Sequence, residues 1–169
     1  MKKCLSAILS VLTFLGTVIL FSYCTKIEKL SEIPKIKFTE FTYKDSVGFN
    51  HILNGTLSFD FEDGDGNIGF GVDSVSENTV FIKKYKITNG VPINIVLNEN
   101  IVNYKIPVFS TSGNRKAIKG NICVKNLDEV FPINEGDTIM YKFFIKDRDN
   151  NNSNIDSTGY LILKNYIKE

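Results

Sequence analysis

The sequence predicts an all-β protein, with a single immunoglobulin-like β-sandwich of about eight strands following an N-terminal signal or anchor segment. Short runs of alternating apolar and polar residues have the period of half-buried strands. Clusters of Gly, Asn, Asp and Pro separate these runs, as is typical of a sandwich or barrel. After residue 24, no stretch sustains the period of an amphipathic helix over three turns.

Positions 1–23 predict a lipoprotein signal peptide. Two lysines precede an uncharged, mainly apolar run from Leu5 to Tyr23, which is the layout of a secretory signal. The run ends at Cys24, and the junction resembles a lipobox, the site where bacterial lipoproteins are acylated on cysteine and cleaved before it. Tyr23 departs from this pattern, because the residue before that cysteine is usually small. Because the apolar run ends at Cys24, we predict that Cys24 is lipidated.

The alternative is an uncleaved anchor, because the run is long enough to cross a bilayer as a helix. Under either interpretation the initial lysines stay in the cytoplasm and the chain after Cys24 lies outside it. We expect a membrane-anchored protein of the cell envelope, in the outer membrane. Residues 24–34 are predicted to be the lipidated cysteine and a tether, because the chain after Cys24 is short, polar and aperiodic up to Pro34.

The predicted sandwich domain spans residues 35–169. Its first strand follows Pro34, where apolar and polar residues alternate, and its clearest strand has three large apolar residues between three polar ones. Asn89-Gly90 predicts a two-residue hairpin, because both central positions of a type I′ turn need positive φ. The clearest strand is 57–62, and the further predicted strands are 80–88, 91–97, 102–109, 117–124, 138–146 and 159–166, which makes eight with the first.

The composition of the chain bears on its partners, its secondary structure and its disulfides. The net charge is +1 with both signs interspersed, which argues against a nucleic-acid-binding surface. The 13 Phe and 7 Tyr, with no Trp, favour strands. Cys123 is the only cysteine after Cys24, so the predicted domain has no internal disulfide, and its position between Ile122 and Val124 predicts a buried apolar role.

Two predicted strands run into the same acidic pattern, D-x-D-x-N, and the second copy begins 84 residues after the first. Because the loops after these strands commonly share one end of a sandwich, we expect the two turns to meet. Carboxylate and amide oxygens are the ligands that a hard cation such as Ca²⁺ prefers. The candidate metal ligands are Asp63, Asp65, Asn67, Asp147, Asp149 and Asn151.

The alternative is a pair of ordinary tight turns, since Asp, Asn and Gly dominate turns for conformational reasons. The first turn also fails the EF-hand pattern, because its sixth position is Ile68 and its twelfth is Ser74. The sequence therefore leaves both the metal site and the purely structural turn open.

Catalytic patterns are sparse, and we predict that the protein is not an enzyme. His51 is the only histidine, and it lies outside any G-x-S-x-G motif. The acidic pairs Asp128-Glu129 and Glu135 with Asp137 are the residue type that glycosidases use for acid/base catalysis, but the sequence does not give the separation of their carboxyl groups and we expect them in solvated loops. A small hydrolase remains a distant alternative.

The chain resembles a group of uncharacterised lipoproteins from Bacteroidota-type bacteria. The resemblance rests on the turn from Phe59 to Gly69, on 118–122, on 137–149 and on Ser153-Asn154. In that group the turn is usually D-G-D-G-D-I-G, whereas Asn67 replaces an acid here. The resemblance implies a lipid-anchored β-sandwich of unknown activity.

From these patterns we expect a non-enzymatic binding module of the envelope. Sandwich loops or an exposed sheet edge would bind a protein or glycan partner. The alternative is a structural or assembly lipoprotein of the cell envelope. In the binding module the loops or the sheet edge would contact the partner, whereas in the structural lipoprotein the anchor and a protein–protein face would carry the function.

Overall fold

The computed structural model describes residues 30–46, 52–69, 79–94, 102–107, 117–130 and 137–166. They form ten strands, in two antiparallel sheets, and one 3₁₀ helix. The all-β prediction is therefore confirmed. The elements are β1 (Lys35–Ser46), β2 (Ile52–Asp63), β3 (Val80–Thr88), β4 (Val91–Asn94), β5 (Val102–Tyr104), β6 (Ile118–Lys125), β7 (Glu129–Val130), β8 (Thr138–Ile145), β9 (Asp156–Ser157), β10 (Leu161–Ile162) and the 3₁₀ helix Leu163–Tyr166.

The two sheets have the strand order of an immunoglobulin-like sandwich. The first sheet has the order β1-β2-β6, with β7 also paired to β2. The second has the order β10-β8-β3-β4, with β5 paired to β3 and β9 to β8. Labelling β1, β2, β3, β6, β8 and β10 as strands A, B, C, E, F and G gives A-B-E opposite G-F-C.

The core lies between the sheets because the alternating residues of β2 and β8 face each other. Leu57 and Phe59 of β2 and Phe143 and Ile145 of β8 are all 0% exposed. The rings of Phe59 and Phe143 are in contact, with centroids 4.9 Å apart. The alternation in the sequence therefore corresponds to one buried and one solvent-facing side of each strand.

Strand β1 changes its buried face midway. Ile36 lies opposite Phe61 on β2, whereas Phe41 lies opposite Leu57, and the register shifts between Phe38 and Glu40. A β-bulge places one extra residue in a strand, so the inward positions change from even to odd numbers. Simple alternation over the whole of β1 could not predict this change.

Each of the eight predicted runs contains a described strand. The run 159–166 is the least regular, since only Leu161–Ile162 is a strand and a 3₁₀ helix follows it. The predicted signal peptide at 1–23, Cys24 and His51 lie outside the described residues. Within the described ranges, no helix has the length and apolar character needed to span a bilayer.

The predicted burial of Cys123 is wrong, because this side chain is exposed. Cys123 lies opposite Ser58 on the solvent-facing side of the first sheet, while Val124 lies opposite Leu57 on the core side. In a strand of period two, the residue between two inward-facing neighbours must face outward. Its Sγ contacts the Ser58 hydroxyl at 3.4 Å.

Side chains from the segment after β8 cover part of the free edge of β1. Asn154 accepts a hydrogen bond from the Ile36 backbone N–H (2.9 Å) and donates one to its carbonyl (3.0 Å). Asp156 accepts from the Phe38 N–H at 2.7 Å. These side chains occupy backbone groups that another strand could otherwise pair with.

Candidate functional site

The two D-x-D-x-N turns lie together at one end of the sandwich, as predicted. The Asn67 amide Nδ2 donates a hydrogen bond to Asp149 Oδ2 at 2.9 Å. Arg148 Nε donates to the Asn67 backbone carbonyl, also at 2.9 Å. We call residues 63–67 and 147–151 the acidic pole. It connects the end of β2 in the first sheet with the end of β8 in the second.

Both turns have the same internal construction. The Asn67 N–H donates to Asp63 Oδ2 (2.9 Å), and the Asn151 N–H donates to Asp147 Oδ1 (2.7 Å). The residue before each asparagine has a φ of 68°, a left-handed conformation that Gly and Asn adopt most easily. The repeated pattern in the sequence therefore corresponds to a repeated turn structure.

The side-chain amides of the two turns differ. Asn151 Nδ2 donates to Asp147 Oδ2 in its own turn at 2.8 Å, so both oxygens of Asp147 have a donor. Asn67 Nδ2 instead donates to Asp65 Oδ2 and Asp149 Oδ2, each at 2.9 Å. As a result, Asp63 Oδ1 and Asn67 Oδ1 are buried without a hydrogen-bond partner in the described structure.

Neighbouring carboxylates of the acidic pole act on the charge of Asp63. Burial, together with the nearby carboxylates of Asp65 and Asp147, raises the pKa of Asp63 from 3.8 to about 6. The hydrogen bond from the Asn67 N–H lowers this pKa but does not offset the other effects. Asp63 is therefore a carboxyl group in an environment that disfavours its negative charge.

Four of the six predicted ligands converge and two pair with each other. Asp65 and Asp149 meet at the Asn67 amide, and Asp63 contacts the backbone of that asparagine. Within the described residues, no three Asp, Glu, His or Cys side chains are already grouped around a possible metal position. The pole thus supplies several oxygen atoms to a positive group, but the Asn67 amide now lies between its carboxylates. Asp147 and Asn151 form the separate pair.

The first turn also contacts the segment that precedes β1. The Gly64 N–H donates to the Ser31 carbonyl at 2.7 Å. A Cβ on Gly64 would lie 2.5 Å from the carbonyl oxygens of both Leu30 and Ser31, so a larger residue would force the two segments apart. Pro34 is buried as well. The end of the predicted tether at 24–34 therefore packs against the acidic pole.

The outer side of the second sheet forms a different surface, which we call the aromatic face: Phe81, Tyr85, Lys142 and Phe144. Phe81 and Phe144 are stacked, with ring centroids 4.8 Å apart and an interplanar angle of 9°. Lys142 Nζ lies over the Tyr85 ring, 5.2 Å from its centroid. All four side chains are half-buried.

The outer side of the first sheet is polar by comparison. Lys119 pairs with Glu62 at 2.9 Å, and Asn121 donates to Asp60 at 3.0 Å. Such polarity is the usual pattern for the solvent side of an antiparallel sheet. The aromatic face therefore distinguishes one side of the sandwich from the other.

A charged cluster that the sequence did not predict lies near the opposite end of the domain. Glu129 is only 9% exposed, which contradicts its predicted place in a solvated loop. It forms an ion pair with Lys84 and accepts a hydrogen bond from the Tyr141 hydroxyl at 2.9 Å. Burial raises the pKa of Tyr141 and keeps the phenol protonated.

This cluster connects the sheets, since Glu129 belongs to the first sheet and Lys84 and Tyr141 to the second. The pairing cannot be predicted from spacing, because the partners are far apart in the chain. Of the other acidic residues expected in loops, Asp137 pairs with Lys86 at 3.2 Å, and Glu135 lies outside the described residues.

No protein-family model, curated protein or solved structure matches this chain. The resemblance to Bacteroidota-type lipoproteins therefore stays a prediction from the quoted motifs.

Proposed function

We propose that this protein is a non-enzymatic interaction module, anchored to a membrane of the cell envelope, which binds a protein partner through its aromatic face. The observation that carries the proposal is the row of half-buried aromatic rings on the outer side of the second sheet. These rings contribute nothing to the core between the sheets, which is filled by the opposite side of the same strands.

Aromatic side chains are a common feature of protein interfaces, because they bury a large area with little loss of conformational freedom. The face also carries charge. Lys83 lies opposite Lys142 in the register of β3 and β8, so both amino groups belong to the same side of the sheet. A partner with acidic groups around an apolar centre would complement this surface.

The edge next to this face adds a second contact. β4 pairs with β3, and no other described strand pairs with it. Its Val91 and Ile93 are 59% and 52% exposed. An extended segment of a partner could pair with such an edge through backbone hydrogen bonds. The edge of β1, in contrast, is partly covered by Asn154 and Asp156.

Attachment to the membrane is the second part of the proposal. It is supported by the uncharged apolar run that ends at Cys24. A tethered sandwich would present its sheet faces to other molecules of the envelope. A protein partner is favoured over a glycan, because polar groups suited to sugar hydroxyls, in the pairs Lys119–Glu62 and Asn121–Asp60, lie on the outer side of the other sheet.

The test is site-specific photocrosslinking of the full chain in intact cells. A photoreactive phenylalanine derivative replaces Tyr85 on the aromatic face, and the matched control replaces Ser58 on the polar face. We expect one discrete protein adduct from position 85 and none from position 58. In the Tyr85 derivative, the additional substitution Lys142→Glu should weaken this adduct, because it reverses a charge next to the crosslinker.

Equal labelling from both positions would show that the aromatic face is not a binding surface. An adduct at position 85 that is destroyed by glycosidase, but not by protease, would replace the protein partner with a glycan. The absence of any adduct from position 85 would also contradict the proposal.

A further inference from the structure

We propose that the acidic pole is a Ca²⁺-binding site. Asp63, Asp65, Asn67 and Asp149 supply its oxygen ligands, and Asp147 positions the second turn. This inference is independent of the proposed partner. It rests on the geometry of the two turns and on the different use of their side chains.

The first step is the pair of buried oxygens without donors. Asp63 and Asn67 are both 0% exposed, and Oδ1 of each has no hydrogen-bond partner in the described structure. Buried polar atoms normally have a partner, because leaving them unpaired costs free energy. Here both atoms are acceptors and both belong to one turn. A positive ligand is the kind of partner that such acceptors need.

The second step is the convergence of carboxylates from separate turns. Asp65 Oδ2 and Asp149 Oδ2 each lie 2.9 Å from Asn67 Nδ2. The amide N–H groups thus occupy a place between two negative charges. Rotating the amide by half a turn would exchange Nδ2 and Oδ1 and direct the unpaired oxygen at the same carboxylates. That arrangement would be repulsive unless a cation lay between the three groups.

The third step is the comparison with the second turn, which acts as an internal control. Asp147 has the same backbone contact as Asp63, yet donors from Asn151 reach both of its oxygens. An ordinary D-x-D-x-N turn can therefore satisfy its own carboxylate. The first turn does not, because its asparagine amide points across to the other turn.

The donor set indicates the type of cation. The pole offers carboxylate and amide oxygens, and residues 63–67 and 147–151 include no His or Cys. Zinc usually takes nitrogen or sulfur ligands. Mg²⁺ prefers a strict octahedron with several waters, whereas Ca²⁺ accepts flexible arrangements of more oxygens. Two irregular turns from different strands fit Ca²⁺ better, with water completing its coordination.

Binding would join the two sheets at this end, since the first turn follows β2 and the second follows β8. Arg148 already bonds to the Asn67 carbonyl at 2.9 Å, but its guanidinium donates to main-chain oxygens rather than bridging the carboxylates. A cation would add a further connection between the side chains of the two turns, beside the hydrogen bond from Asn67 Nδ2 to Asp149 Oδ2.

The test uses the full chain in detergent, stripped of metal with chelator and titrated with CaCl₂ in a calorimeter. We expect one Ca²⁺ per chain, a higher melting temperature, and at least about tenfold weaker binding of Mg²⁺. Asp63→Asn and Asp149→Asn should each weaken Ca²⁺ binding by about tenfold or more, because each removes a charged ligand. The matched control is Asp60→Asn on the exposed outer side of β2, which should bind like the wild type.

A second variant keeps the test informative if removing an acid disturbs folding. Asn67→Asp adds a carboxylate to the site, so it should bind Ca²⁺ more tightly and melt at a lower temperature than the wild type in chelator. Circular dichroism confirms that each variant is folded. The proposal is overturned if millimolar Ca²⁺ produces neither heat nor a melting shift in the wild type, or if folded Asp63→Asn binds as tightly as Asp60→Asn.

Discussion

At the residue scale, Asp63 and Asp147 occupy equivalent positions in repeated turns but differ in their environments. The sequence could predict the repeat and the meeting of the turns, because both depend on strand order and turn chemistry. It could not predict which way the Asn67 amide points, since that depends on the distance to Asp149 across the sandwich. The exposed Cys123, in contrast, was predictable from strand alternation alone.

Asp63 should make the metal-free protein less stable as the pH rises from about 4 to about 6. Its pKa is raised from 3.8 to about 6 in the folded state by burial and by Asp65 and Asp147, while Arg148 is the nearby cation. Between those values the folded state binds more protons than the unfolded state, so the free energy of unfolding falls with pH. The full effect is about 3 kcal/mol.

The measurement is urea unfolding of the wild type and Asp63→Asn in calcium-free buffer across this pH range. The variant should gain stability relative to the wild type as the pH rises, because it has no carboxylate to ionise. Asp60→Asn serves as the control and should show no such gain. A constant difference between the wild type and Asp63→Asn from pH 4 to 8 would contradict the assigned environment of Asp63.

At the element scale, long alternating runs could be predicted and short pieces could not. β2 and β8 carry several large apolar residues at every second position, so their existence and buried face follow from the sequence. β7 and β9 have only two residues each, which is too short for any period. Their positions depend on pairing with β2 and β8, and the same tertiary contacts bring Asn154 to the edge of β1.

Asn154→Ala should destabilise the domain by about 2–4 kcal/mol, because it leaves two partly buried backbone groups of Ile36 without their hydrogen bonds. Asn121→Ala is the matched control, since it removes an exposed hydrogen bond to Asp60 and should cost less than about 1 kcal/mol. Urea unfolding measures both values.

The Asn154→Ala variant should also self-associate more readily, because the uncovered part of the β1 edge can pair with another chain. Light scattering at matched concentrations gives the comparison. If Asn154→Ala and Asn121→Ala are equally stable and equally monomeric, Asn154 does not protect this edge.

At the scale of the whole molecule, the sandwich has two ends and two outer faces with different chemistry. The acidic pole lies at one end, and the Glu129–Lys84 ion pair lies near the other. The sequence predicted the sandwich and the shared pole because alternation and turn spacing are local signals. It did not predict the aromatic face or the charged pair between sheets, which depend on strand pairing across the chain.

Acylation of Cys24 is a prediction about the whole molecule, because it determines how the domain is held. Mass spectrometry of the N-terminal peptide from the membrane fraction should show a mature chain that begins at a lipid-modified Cys24. Cys24→Ser should leave the chain uncleaved, and it provides the control. An unmodified peptide that spans Tyr23 and Cys24 in the wild type would support the uncleaved anchor instead.

The hydrogen bond between Ser31 and Gly64 has a consequence for orientation. The chain from Cys24 to Leu30 can extend at most about 20 Å. With a lipid on Cys24, this short segment would hold the acidic pole close to the lipid headgroups. The end of the sandwich that carries Glu129 would then point away from the membrane. The negative surface of a bilayer concentrates divalent ions nearby. The divalent ions near the headgroups would thus be available to bind at the acidic pole. In this orientation the aromatic face would be directed sideways, neither toward the membrane nor away from it.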